Sequence, residues 1–593
     1  MTRLFLRRLI HNDLISPHAD RHESLAMVYA LTMSLAVFAT FFLSTNYLSA
    51  FIQLPGTAAL NALSDRFLFI AGSITISALA ALLVWDALAL EPRDAAILGP
   101  LPIGARTISR AKLAAAVMFG IALTIALNAV PSVFYPAFLT LNIRGISGTT
   151  ILRLIASHAA TVSMAGFFGF FGIVAIRGLL RLVLGENIFR RTASGVQSLL
   201  VVGMVTGLLV GPTVRAREVR RWVSQARVAR WPARPVLWFL GANETLAGYL
   251  VAETPIVLPP RFAVLPTFLA TEDQIARATY RQMRPHFAVL AQRAWMSLAV
   301  VIVLALGTFL WTNRRLPDRA AGVPLPSRLR GSARRLAERY TDTDPEAQAG
   351  CFFALQTLTR SAPHRTVIAI AIAVGLTHGL IVLTQSDSQS FKTPPLGAFA
   401  IAVMLLLSLL GGISYAATIP AAPAANWAIR MAWLGDERGY LAGVKQTAMG
   451  LVVVSLVLLL PLHFALLGAA AALAHSLFCA LIAAVASGAL FLWYRKLPFA
   501  CSHVPIENPK LVWPTAFAGL LLVSYSFAAG EQWALQTGVR TVIFGATIAA
   551  IAFLVRAVDR AWRSERLRID FDDRPALATQ RLGLFDHIAV HDS

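Results

Sequence analysis

Charged side chains are what this sequence has least of: 14% of 593 residues, against about a quarter in soluble proteins. With 57% of residues hydrophobic, that shortage excludes a water-soluble fold for most of the chain. Cysteine is nearly missing as well. Cys351, Cys479 and Cys501 are scattered, so neither a disulfide framework nor a cysteine zinc site is expected. Lysine supplies only five of the 52 basic residues, a bias from which no function follows. No glycine is followed by lysine, which removes the P-loop, and neither HExxH nor GxSxG occurs. The chain is expected to be no enzyme and to carry no cofactor.

What is present is a series of apolar runs of about 20 residues, each long enough to cross roughly 30 Å of hydrocarbon. No short cleavable leader is expected before the first of them. The runs fall at 25–48, 67–89, 112–135, 154–177, 193–213, 294–312, 366–385, 396–418, 446–468, 470–494, 512–530 and 537–557. Residues 446–494 form one block, about 73 Å long as a single helix, so it must fold back; the turn is placed near Gly468. The expected fold is an all-α polytopic membrane protein with about 12 transmembrane helices in two six-helix halves.

The net charge of +22 would point to nucleic acid in a soluble chain. Here the basic residues cluster in loops between apolar runs, the pattern of cytoplasmic loops, so the expected partner is the lipid bilayer and not nucleic acid. Arg3, Arg7, Arg8 and Arg21 precede the first run; Arg93, Arg106, Arg110 and Lys112 lie in loop 90–112; segment 313–365 holds ten arginines. Loops 136–150 and 386–395 hold one basic residue each, so both termini are expected to be cytoplasmic. The domains are then a first half at 1–312, a basic cytoplasmic linker at 313–365, a second half at 366–557 and a cytoplasmic tail at 558–593. Segment 215–293 counts as non-cytoplasmic although 215–234 has seven arginines; within it, 236–270 reads as short re-entrant or surface helices.

Ionisable residues deep in the apolar runs would mark an ion-coupled carrier, and they are nearly absent. Asp86, Arg153 and Arg177 fall near run ends, and His158, His378, His463 and His475 lie nearer to interiors without a visible carboxylate partner. The grouping His18, Asp20, His22, Glu23 reads as a solvated juxtamembrane segment. Gly203, Gly207 and Gly211 stand on one helix face at four-residue spacing, a packing seam for another helix.

Loop 90–112, LEPRDAAILGPLPIGARTISRAK, breaks this pattern with charges. Pro92 suits a first helical turn, with Glu91 and Asp94 near its positive end, and Pro100 and Pro102 end that helix. Its counterpart in the second half is 418–445, TIPAAPAANWAIRMAWLGDERGYLAGVK. The first loop resembles the cytoplasmic loop of permease subunits of type-2 ATP-binding-cassette exporters, with Glu91, Arg93, Asp94, Leu98, Leu101, Pro102, Arg106 and Lys112 at matching places. More widely the chain is similar to a group of long bacterial exporter permeases, through Leu237-Trp-Phe-Leu-Gly241, Leu358-Thr-Arg360-Ser361, Ala425-Asn426-Trp427 with Arg430, and Leu497-Pro-Phe-Ala-Cys501. Ala500 departs from the usual threonine.

That resemblance implies a permease of the bacterial inner membrane exporting an unidentified substrate, driven by a separate ATPase subunit. It implies that Glu91, Arg93, Asp94, Leu98, Pro100, Leu101, Pro102 and Arg106 belong to an ATPase-coupling loop, and Asn426, Trp427, Arg430 and Lys445 to a second. An ion-coupled secondary transporter is the alternative. An intramembrane enzyme is a weaker rival, since Asp86, Glu91 and Asp94, its only tight acidic group, lie among arginines.

Overall fold

A computed structural model describes residues 2–3, 5–6, 40, 54–85, 87–88, 103–214, 216–224, 234–257, 267–312, 344–385, 396–421, 426, 429, 431, 437–492, 494, 496–501 and 509–565. Among these the protein is all-helical, and ten helices are long and apolar enough to cross a membrane. It is a multi-pass membrane protein. Two compact units divide the chain, 1–325 and 326–593, with the boundary inside the segment expected as a linker.

In the first unit, α1 (Pro55–Leu83) starts twelve residues before the expected run. Asp65 and Arg66, just before the expected run, are both buried inside the helix, and Arg66 is ion-paired to Glu244. α2 spans Ala105–Thr140 and α3 Gly148–Val210. α3 joins two expected runs, and Gly185, at φ 69°, marks the break between its limbs. Gly169 lets α3 press on the backbone of Ile74 in α1, where an added Cβ would collide with the carbonyl.

Segment 215–293 contains short helices within 236–270, as expected, and differs in that the helix of the sixth run starts well before 294. It forms α4 (Ala216–Ser224), α5 (Arg234–Ala247) and α6 (Leu250–Glu253), and its last third is the start of α7 (Thr267–Thr312). At 46 residues α7 is about 69 Å long, more than a bilayer requires, so it extends beyond the apolar stretch at 294–312. Tyr280, Met283, Phe287, Leu290, Ala291 and Ala294 give that extension a buried stripe at helical spacing, against which α5 packs through Gly241.

In the second unit, the described part of segment 313–365 is not polar throughout. It contains α8 (Pro345–Arg360), started by Asp344, whose carboxylate accepts from Glu346 N at 3.0 Å, and by Pro345 at the first helical position. Ala347, Gly350, Cys351, Ala354 and Leu358 form its buried face. α9 (Ala362–Gln385), α10 (Leu396–Ala416), α11 (Glu437–Leu467), α12 (Ala469–Leu492), α13 (Pro509–Ala534) and α14 (Gly538–Glu565) follow. The turn between α11 and α12 falls at Gly468, whose φ of 79° suits glycine. α13, expected as a span, is not among the ten counted over the described residues. The expected span 25–48 lies outside the described residues. α10 is the most enclosed helix, with α9, α11, α12 and α13 around it.

Candidate functional site

Of the first expected coupling loop, Glu91, Arg93, Asp94, Leu98, Pro100, Leu101 and Pro102 lie outside the described residues. Its flanks are described. Trp85 and Leu88 are buried just after α1, and Gln197 Nε2 donates to Leu82 O at 2.9 Å, answering a carbonyl at the helix end. Arg177 lies between the rings of Trp85 and Phe189, at 5.6 and 5.7 Å. Arg106 is exposed in the first turn of α2, and buried Lys112 stands 5.2 Å over the Phe5 ring.

The second expected loop has a firmer frame. Trp427 and Arg430 lie outside the described residues, but Asn426 is buried and donates through Nδ2 to Ala500 O at 2.9 Å. Phe499 N donates to Ala417 O at 2.8 Å, and Ala421 N donates to Phe499 O at 2.7 Å. Tyr440 at the start of α11 donates to Pro498 O at 3.2 Å, and Tyr494 donates to Ser414 O. His364 Nε2 reaches Ile419 O at 3.0 Å; a carbonyl only accepts, so Nε2 carries the proton. In the neutral ring Nδ1 then accepts from Ser361 Oγ, at 2.7 Å.

The stretches 358–361 and 497–501, with Asn426, thus converge on the chain leaving α10. Phe499 has a left-handed backbone, φ 61°, uncommon for a bulky residue. Two main-chain hydrogen bonds and ring contacts with His364 (5.6 Å) and Phe353 (6.4 Å) hold it there. Below this knot α8 and α11 cross at closest approach. A Cβ on Gly350 would meet the Tyr440 carbonyl, and one on Gly443 the Ala347 carbonyl. Lys445, the last residue expected in the loop, pairs with Asp559 of α14 at 2.6 Å. The knot therefore fixes both ends of 418–445.

Of the seam expected at Gly203, Gly207 and Gly211, a Cβ added at Gly203 would meet nothing within 4 Å, whereas one at Gly207 or Gly211 would make ordinary contact, 3.7 Å, with Thr75 or Leu68 of α1. Close approach falls instead at Gly169, Gly350 and Gly443, where the facing backbone sets the distance.

Buried charge was also underestimated. Arg66 donates to Glu244, which accepts from Tyr280 as well, and all three are buried. Asp273 Oδ1 accepts from Gly56 N at 2.7 Å and Thr57 N at 3.3 Å, capping α1 from another helix. Arg277 ties that carboxylate, at 2.6 Å, to the carbonyls of Ala252 and Thr254 at 2.8 and 2.7 Å. Burial first, then the Glu244 carboxylate, raise the Tyr249 hydroxyl above its ordinary range, and Arg284 over its ring opposes them. In the second unit His475 meets a carboxylate after all: Glu531 lies one residue beyond the expected run 512–530. His18, Asp20, His22 and Glu23 are outside the described residues, and among those described no three His, Cys, Asp or Glu gather to hold a metal.

No protein family, curated protein or solved structure matches the chain.

Proposed function

We propose that the chain is the membrane-spanning permease of an ATP-driven exporter, energised by a separate ATPase subunit that docks on loops 90–112 and 418–445. The observation that carries this reading is the knot. Residues from three of the stretches through which the chain resembles exporter permeases, 358–361, Asn426 and 497–501, meet around one loop and clamp both of its ends. A loop clamped in this way transmits a pull to α10, α11 and, through Lys445 and Asp559, α14. On the basic-loop reading, both termini and both coupling loops face the cytoplasm of a bacterial inner membrane. Twelve spans, with residues 25–48 and α13 added to the ten, complete two halves.

ATPase closure shifts such a permease between two states only if the loops contact the ATPase differently in each. Replacing Pro100, Leu101 and Pro102 together by glycine is expected to leave insertion intact and to uncouple ATP hydrolysis from export. Export retained at the wild-type rate would contradict the docking role. The ion-coupled alternative is favoured by one observation, the buried His475–Glu531 pair. Export from vesicles with a proton gradient and no ATPase would decide for it.

A further inference from the structure

The end of the second unit opposite the knot holds a buried ionisable group that docking does not use. α11 brings His463, α12 His475 and Cys479, and α13 Glu531. His475 Nδ1 lies 2.7 and 2.8 Å from the two carboxylate oxygens of Glu531, and both side chains are 0% exposed. Its other nitrogen is 3.5 Å from Cys479 Sγ. The His463 ring stands edge-on to His475 with centroids 4.7 Å apart, and neither of its nitrogens has a hydrogen-bond partner among the described residues. Phe399 of α10 also packs edge-on against His475, at 5.6 Å. On neighbouring helices His378 of α9 packs edge-on against Tyr525, and Arg540 of α14 engages Gln536 and Trp533.

The site lies at a common depth. His475 is the seventh residue of α12, and His463 and Glu531 stand within five residues of the ends of α11 and α13. That puts it roughly 9 Å below the turn at Gly468. Net charge is costly there, so the group settles at the proton content that leaves it neutral. That content is one proton shared between Glu531 and His475, beyond the single N–H of each neutral imidazole. Losing it leaves an unmatched carboxylate. A further proton has a vacant nitrogen to take it on His463.

We infer that His463, His475 and Glu531 form a proton-binding site of the second unit, exchanging one proton with water at the α11–α12 rim. On release the His475 Nδ1–H bond breaks and the proton passes to water as hydronium. The imidazole is left neutral and the carboxylate charged, with no change of oxidation state. Water must then reach Glu531, so deprotonation favours a looser α11–α12–α13 contact. The inference rests on these side chains and does not require an ATPase.

The test uses full-length protein in lipid nanodiscs with ¹⁵N-labelled histidine rings, titrated by NMR alongside infrared difference spectra of the carboxyl bands. One histidine is expected to lose its proton in a single step, and the carboxylate bands of one acid to shift in that same step as its hydrogen bond is lost. Glu531→Gln should remove the carboxyl signal and move the histidine step by about tenfold or more in proton concentration. His463→Phe should shift the step while keeping it. A wild type without a joint step, or a Glu531→Gln protein whose step stays in place, would overturn the site. Should Glu531→Gln fail to purify as a single species, Glu531→Asp replaces it. The shortened acid must then also move the step about tenfold, and an unmoved step overturns the site.

Discussion

At one end of the second unit, neutral side chains answer main-chain carbonyls: Asn426 that of Ala500, Tyr440 that of Pro498, Tyr494 that of Ser414, His364 that of Ile419. At the other end His475 and Glu531 answer each other, with His463 beside them. Carbonyl partners cannot titrate or move independently of the chain, so the first arrangement fixes backbone geometry. An ionisable pair changes charge with one proton, so the second is sensitive to its surroundings. One end suits a rigid handle and the other a switch.

The comparison breaks most sharply at Glu531. Glu531→Ala leaves His475 without its partner and is expected to cost about 3–5 kcal/mol in thermal unfolding of the purified protein. Replacing both, by Glu531→Met with His475→Leu, should restore most of that stability, as apolar substitution of a buried pair does. A double variant as unstable as the single would mean that neighbouring groups depend on the pair.

At the handle end the largest effect is steric. Gly443→Val drives a side chain into the Ala347 carbonyl of α8 and should destabilise the second unit by about 1–3 kcal/mol. Limited proteolysis should then cut between α8 and α9 sooner. Asn426→Ala strands the Ala500 carbonyl, with an expected loss of about 1–2 kcal/mol and faster cleavage within 418–437. That variant sharpens the comparison, because its loss should not change with pH.

The positions of most helices were legible in the sequence, since twenty apolar residues have few other uses. The turn at Gly468 was legible for the same reason, as no single helix that long fits a bilayer. What misled was charge. Arg66 sits inside α1 because Glu244, far away in sequence, neutralises it, and hydropathy along one segment cannot show that. Glu531 was excluded by a single residue of boundary. The knot's motifs were visible as words, but their meeting depends on tertiary contacts such as Phe499 with Ala417 and Ala421. The glycine spacing at 203–211 was legible, but spacing does not say how closely a helix approaches each position.

The smallest expected effect lies there. Gly203→Ala adds a methyl group where nothing stands within 4 Å and should change stability by less than about 1 kcal/mol, in the stabilising direction. Loss of assembly in that variant would reveal a helix packed on that face.

The docking of an ATPase is tested most directly by mild-detergent purification of the tagged protein from its native membrane, with mass spectrometry of what accompanies it. A P-loop ATPase should co-purify with the wild type and be lost when Leu98, Pro100, Leu101 and Pro102 are replaced, while thermal unfolding stays unchanged. No ATPase across several detergents, or equal recovery with the substituted loop, would contradict the permease reading.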